Sequence, residues 1–97
     1  MTTMILNSIE FEFAFYNRNT YFSGANITST ANINQIKGDN IAEKLTALAQ
    51  ETITSLKIKK DNEIIYSLEN LNAQIQSFDE SFDGEVFNVN LNINFNT

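Results

Sequence analysis

The chain has 97 residues, 42% of them hydrophobic, a formal net charge of −6 and no His, Cys, Pro or Trp. One domain, residues 1–97, fits that length, and the apolar content is too high for disorder. Without Cys there is no disulfide, thiolate zinc site or thiol nucleophile, and without His no imidazole base, imidazole metal ligand or Ser-His-Asp triad.

In chain order, Ile9, Phe11, Phe13 and Phe15 alternate with Ser8, Glu10, Glu12 and Ala14, the pattern of a half-buried strand. A second alternating run puts Tyr21, Ser23, Ala25, Ile27, Ser29, Ala31 and Ile33 on one face. Asn17-Arg18-Asn19 between the runs has the composition of a three-residue hairpin loop. That loop would make residues 5–34 one hairpin, with Phe15 opposite Tyr21, Phe11 opposite Ala25 and Ile9 opposite Ile27. Large residues would then meet small ones across the pair.

Lys37-Gly38-Asp39 breaks the strand pattern. Asn40 followed by Glu43 suggests a capping box. Ile41, Leu45, Leu48, Ala49, Thr52 and Leu56 recur at helical spacing, predicting one amphipathic helix over 40–55. Leu56–Lys60 and Glu63–Leu68 flank Asp61-Asn62 and predict a two-residue hairpin.

The last third is the most regular. Leu71, Ala73, Ile75 and Ser77 alternate with polar residues. Phe87, Val89, Leu91, Ile93 and Phe95 alternate with Asn88, Asn90, Asn92, Asn94 and Asn96. Phe82-Asp83-Gly84 reads as the loop between these runs, with Ile75 opposite Leu91 and Ser77 opposite Val89. The hairpins thus extend over 56–96. The expected fold is α+β: an antiparallel sheet of about six strands in ββαββββ order, open or curled toward a barrel, with one helix packed on it. Of the 15 Asn, most fall in loops, at the helix start or on one face of the final strand.

Candidate chemistry is sparse. Asp79, Ser81 and Asp83, followed by Gly84, match the first positions of a calcium loop, but Asn90 stands where the bidentate Glu belongs and the flanks read as strands. An acidic turn is the better reading, and no metal or cofactor is expected. Glu10 and Glu12 share a strand face without any sign of a cleft. Lys57, Lys59 and Lys60 read as a charged edge. Val86–Phe95, if at a sheet edge, would be a template for strand addition. Phe22 falls among polar positions, and Phe78 and Val86 fall on the Asn side of the last hairpin with Phe82 at its tip. A grouped set of misplaced apolar residues suggests an interface. The expected partner surface is therefore Phe22, Phe78, Phe82 and Val86, with Asn88 and Asn90 beside them.

These features imply a non-catalytic protein-interaction or assembly module that binds a protein partner or itself as a homo-oligomer. Small, Pro-free, Asn- and Ile-rich chains are common among AT-rich bacterial and phage proteins, and on that compositional association a phage-type structural or assembly role is expected. The alternative is an acidic inhibitor, of anti-defence or toxin-immunity type, that blocks a basic surface of a nuclease or toxin. An inhibitor should gather Glu10, Glu12, Asp79, Glu80, Asp83 and Glu85 on one face, whereas an assembly subunit should gather the Phe residues. Twelve acidic against six basic residues disfavour nucleic acid, and no small-molecule substrate is expected. No apolar run reaches the roughly 18 residues of a membrane span. Met1–Asn7 lacks the basic start of a signal peptide, so a cytoplasmic or virion-associated location is expected.

Overall fold

Alternating sequence builds more strands than the six expected, and they lie in two sheets. The computed structural model describes residues 1–95. Its elements are β1 (Thr2–Leu6), β2 (Ile9–Glu12), β3 (Phe15–Ser23), β4 (Asn26–Ile36), α1 (Ile41–Leu48), β5 (Leu56–Lys60), β6 (Glu63–Leu68), β7 (Ala73–Phe82) and β8 (Phe87–Phe95). The shorter sheet has the order β2-β1-β5-β6 and the longer one β3-β4-β8-β7, every neighbouring pair antiparallel. The α+β class holds. The order is ββββαββββ rather than ββαββββ, and the eight strands form two sheets rather than one curled sheet.

The first correction concerns the N-terminal hairpin. Residues 5–34 contain two turns. Asn7, at φ 55, turns β1 into β2, and Gly24, at φ 63, turns β3 into β4. Asn17, Arg18 and Asn19 lie inside β3 opposite Asn32, Ala31 and Thr30. A two-residue loop opened by a residue at positive φ matches the twist of its strands, and Gly adopts that φ at little cost. The Asn triplet has turn composition but no Gly. Consequently Phe15 faces Asn34, Phe11 faces Met4 and Ile9 faces Leu6. Tyr16, Arg18, Thr20 and Phe22 share the inner face of the long sheet with their partners Ile33, Ala31, Ser29 and Ile27. Phe22 is therefore not on the polar face.

The helix is shorter than expected. Ile41, Leu45 and Leu48 form its buried stripe, but the capping box is absent because Asn40 takes the left-handed conformation and its side chain makes no cap. A helix N-cap needs extended backbone to aim its side chain at the first turn. After Leu48 the backbone tightens into i to i+3 bonds, with the Gln50 amide donating to Ala47 and the Glu51 amide to Leu48. Ile53 then exchanges main-chain bonds of 2.7 and 3.1 Å with Ala73. Asn7 holds the same segment, donating to the Thr52 carbonyl and accepting from the Thr54 amide. Tertiary pairing removes 49–55 from the helix, and Thr52 is exposed.

The β5–β6 hairpin forms at Asp61-Asn62 as expected, with φ of 52 and 70 at the two loop residues, the signature of a I′ turn. However, β5 lies between β1 and β6, so its lysines do not sit on a sheet edge. In the last hairpin Phe82 pairs with Phe87, making the loop 83–86. The Asp83 carboxylate accepts the amides of Glu85 and Val86 and closes that longer turn. Ile75 therefore faces Ile93, and Ser77 faces Asn92. A bulge at Gln76 then reverses the alternation of β7, so Phe78, Glu80 and Phe82 point to the inner face. β8 is interior, not an edge. Its two faces are as expected: Val89, Leu91, Ile93 and Phe95 are buried, and Asn88, Asn90, Asn92 and Asn94 face outward. Asn96 lies outside the described residues.

One core joins both sheets and the helix. It includes Met4, Leu6, Phe11, Leu56 and Ile58 from the short sheet, Ile41, Leu45 and Leu48 from α1, and Ala31, Ile33, Ile36, Leu91, Ile93 and Phe95 from the long sheet. A Glu12–Lys37 bridge ties the sheets at one corner, and the Tyr16 and Tyr66 rings meet at 5.7 Å. The Tyr16 hydroxyl is buried and has no hydrogen-bond partner among the described residues. Burial, and secondarily Tyr66, push its ionisation well above the ordinary tyrosine range, against the pull of Arg18.

Two stability outcomes follow. Leu91→Ala should lower the urea unfolding free energy by about 2–5 kcal/mol, whereas Phe87→Ala, on the same face of the same strand, should change it by less than about 0.5 kcal/mol. Tyr16→Phe removes an unsatisfied buried hydroxyl and should raise stability by about 1 kcal/mol. A loss of that size would mean the hydroxyl is bonded.

Candidate protein-interaction surface

The long sheet outreaches what covers it. Among the described residues, β3 and β4 run on past Phe95 of β8, which lies opposite Ser29. At the other end β7 and β8 run on past Ile36, which pairs with Val89. Among the described residues no layer covers the inner face at the two projecting ends, where Phe22 and Ile27 at one and Phe82 and Phe87 at the other share that face. At one end Phe22 is 74% exposed beside Ile27. At the other, Phe82 and Phe87 are 57% and 63% exposed, with Val86 at 41%. Their rings stack on each other at 4.9 Å, tilted by 38°. The molecule is 46 Å long, and the two ends are about 35 Å apart at a strand rise of about 3.4 Å per residue.

The expected interface set is thus divided. Phe82 and Val86 come together at the β7–β8 tip. Phe22 is at the far end. Phe78 is half-buried, packed against the core. Asn88 and Asn90 lie on the outer face of the same hairpin, opposite Ser81 and Asp79. Asn90 is engaged within the molecule, accepting from the Gln35 amide and donating to Asp79. Asn92 similarly donates to Ser77. Phe87 belongs to the surface but reads in sequence as the first buried residue of a perfect alternation. Phe15 and Tyr21, on the outer face of β3, and Ile64 and Ile65, on β6, are also exposed.

Charge gathers at the same tip. Glu80 shares the inner face with the Phe pair, Asp83 and Glu85 lie in the adjoining loop and Asp79 stands on the outer face; all four are exposed, and 79–87 contains no Lys or Arg. Glu10 and Glu12 are not part of this group. They lie on the short sheet, where Glu10 accepts from Thr3 at 3.0 Å and meets Lys59 at 3.7 Å. Lys57 is similarly paired with Glu69 at 3.8 Å. Two of the three clustered lysines are therefore neutralised internally.

The calcium-loop residues do not converge. Asp79 and Ser81 are extended on the outer face of β7, while Asp83 turns onto its own loop amides. Among the described residues no three acidic side chains form a cluster able to hold a metal ion. No helix among them is long and apolar enough to cross a membrane. Beside the tip, α1 and β7 enclose an open, mostly apolar groove of about 440 Å³ lined by Ala42, Glu43, Thr46, Ala47, Gln50, Phe78 and Glu80. No protein-family model, curated protein or solved structure matches the chain.

The two amide bonds, Val86 first and Glu85 second, hold the Asp83 carboxyl below its usual range. Its contribution to loop order is thus present above the ordinary Asp value of about 3.9 and is lost as pH falls through the depressed folded value. Exchange protection of the Glu85 and Val86 amides should persist at pH 4 and vanish in stronger acid. Asp83→Ala should abolish it at neutral pH.

Proposed function

We propose that the protein is a non-catalytic protein-interaction module that docks through its projecting β7–β8 tip onto a protein surface combining an apolar pocket with basic residues. The carrying observation is the stacked, exposed Phe82–Phe87 pair at a tip that carries four carboxylates with no basic side chain among residues 79–87. Exposed aromatics supply contact area and affinity, and surrounding charge supplies steering and choice of partner.

The composition of the tip favours a partner other than a second tip. A twofold contact between tips would crowd eight carboxylates together, and like charges facing one another cost several kcal/mol. Homo-oligomeric assembly, including a phage-type structural role, then requires a different surface such as Phe22 or the β6 edge. The inhibitor reading gains from Glu80, Asp83 and Glu85 at the tip, although Asp79 stands on the opposite face and Glu10 and Glu12 lie apart. Both readings have the same tip meeting a basic surface.

A photo-crosslinking amino acid in place of Phe82, in cells that produce the protein, tests this directly. The expected product is a discrete adduct with a basic protein, absent when the crosslinker replaces Phe22 and absent after Asp79→Lys with Glu85→Lys. Adducts of equal yield from both positions, or an adduct with a second copy of the chain, would contradict it.

A further inference from the structure

We propose that the groove between α1 and the free edge of β7 is a strand-addition site for an extended segment of a partner protein, one that alternates apolar residues with Lys or Arg. The inference rests on the protein-binding reading above and shares its acidic end, but it uses a different surface from the Phe82–Phe87 tip.

Three observations meet at this groove. First, β7 is an edge strand: among the described residues its outer edge makes main-chain bonds only at Ala73, to Ile53. From Ile75 to Phe82 the edge has no Pro or Lys, and no segment among the described residues pairs with it, which leaves it open to pairing. Second, the space beside that edge is already shaped. The exposed face of α1 supplies Ala42, Thr46 and Ala47, and Phe78 forms the opposite wall. An added strand would bond to the β7 main chain and send every second side chain into this space, so affinity would come from the backbone and selection from the pocket. A helix bonds its own main chain internally and would leave the edge unpaired. Third, the charge is one-sided. Glu43 and Glu80 line the groove and Asp79 stands on the outer face of the same edge, and no base lines the groove.

The same features argue against a second copy as occupant. The chain's own basic and apolar alternation, Leu56–Lys60, is held between β1 and β6, and Lys57 and Lys59 are already paired. Gln76 marks where the edge is bulged, so pairing should begin beyond it, at Ser77–Phe82.

The probes are two acetylated eight-residue peptides, one alternating Lys with Val and one alternating Glu with Val, added to the full chain. Binding is read by fluorescence anisotropy and by amide hydrogen exchange. The Lys peptide should bind at least tenfold tighter than the Glu peptide and weaken as salt rises. It should also slow exchange in 77–82. Ala47→Lys, at an exposed helical position that Lys tolerates well, should keep the circular dichroism spectrum and weaken binding at least tenfold. Equal binding of the two peptides, no binding of either, protection outside β7, or an unaffected Ala47→Lys variant would overturn the proposal. Asp79→Lys with Glu85→Lys touches both surfaces, so Phe82→Ser with Phe87→Ser separates them. Loss of tip crosslinking with peptide binding intact would remove the tip reading alone, and the reverse outcome would remove this one alone.

Discussion

A mismatch in length between two layers governs the molecule. The strands β4, β7 and β8 are each nine residues or longer, whereas the covering strands β1, β2, β5 and β6 have four to six and α1 has eight. Only the middle of the long sheet can therefore be buried. Ala31, Ile33, Leu91 and Ile93 lie there and are fully or almost fully buried. Moving outward on the same face, Phe22, Phe82 and Phe87 lose their cover, with Glu80 between Phe78 and Phe82. Their exposure is a consequence of position along a strand, not of pointing to the wrong side. Two projecting ends with exposed Phe rings follow from this one constraint, and only the β7–β8 end carries a group of carboxylates.

The chain compensates for having no Pro and 3 Gly by using Asn as its turn residue. Asn7, Asn40, Asn62 and Asn70 all take positive φ, a conformation in which Asn is strongly enriched among non-glycine residues. Other asparagines bind across the outer face, as Asn90 does to Gln35 and Asp79. Asn7 does both, turning β1 into β2 while fixing 52–54. The Asn surplus is thus spread through the architecture, and the recognition chemistry is left to Phe and carboxylate.

Local patterns were legible in the sequence where they specify a conformation directly. Asp61-Asn62 does so because both residues tolerate the left-handed turn. The buried faces of β8 and of α1 do so because a strict period points its side chains one way. Register was not legible, because alternation is satisfied by many pairings. The Asn17–Asn19 triplet and the Gly24-Ala25 turn both suit a hairpin, and choosing the first inverted the face assigned to Phe22. The bulge at Gln76 has no sequence mark at all, yet it turns Phe78 and Phe82 to the inner face. Phe82 reads in sequence as a tip residue and sits at the end of β7 beside the loop, whereas the Asn side read for Phe78 is reversed by the bulge. Phe87 was missed because its exposure depends on where another sheet ends. The groove beside β7 was equally invisible, since it depends on which strand is an edge.

The layer mismatch is most directly tested by the solvent exposure of the Phe rings. The chain would be labelled throughout with 4-fluorophenylalanine, its fluorine resonances assigned by single Phe→Tyr variants, and relaxation measured with a soluble paramagnetic agent in dilute protein. Phe22, Phe82 and Phe87 should relax strongly while Phe11 and Phe95 are shielded. Shielding of Phe87 equal to that of Phe95, which lies on the same strand face, would show that the long sheet is covered to its end and would contradict the account.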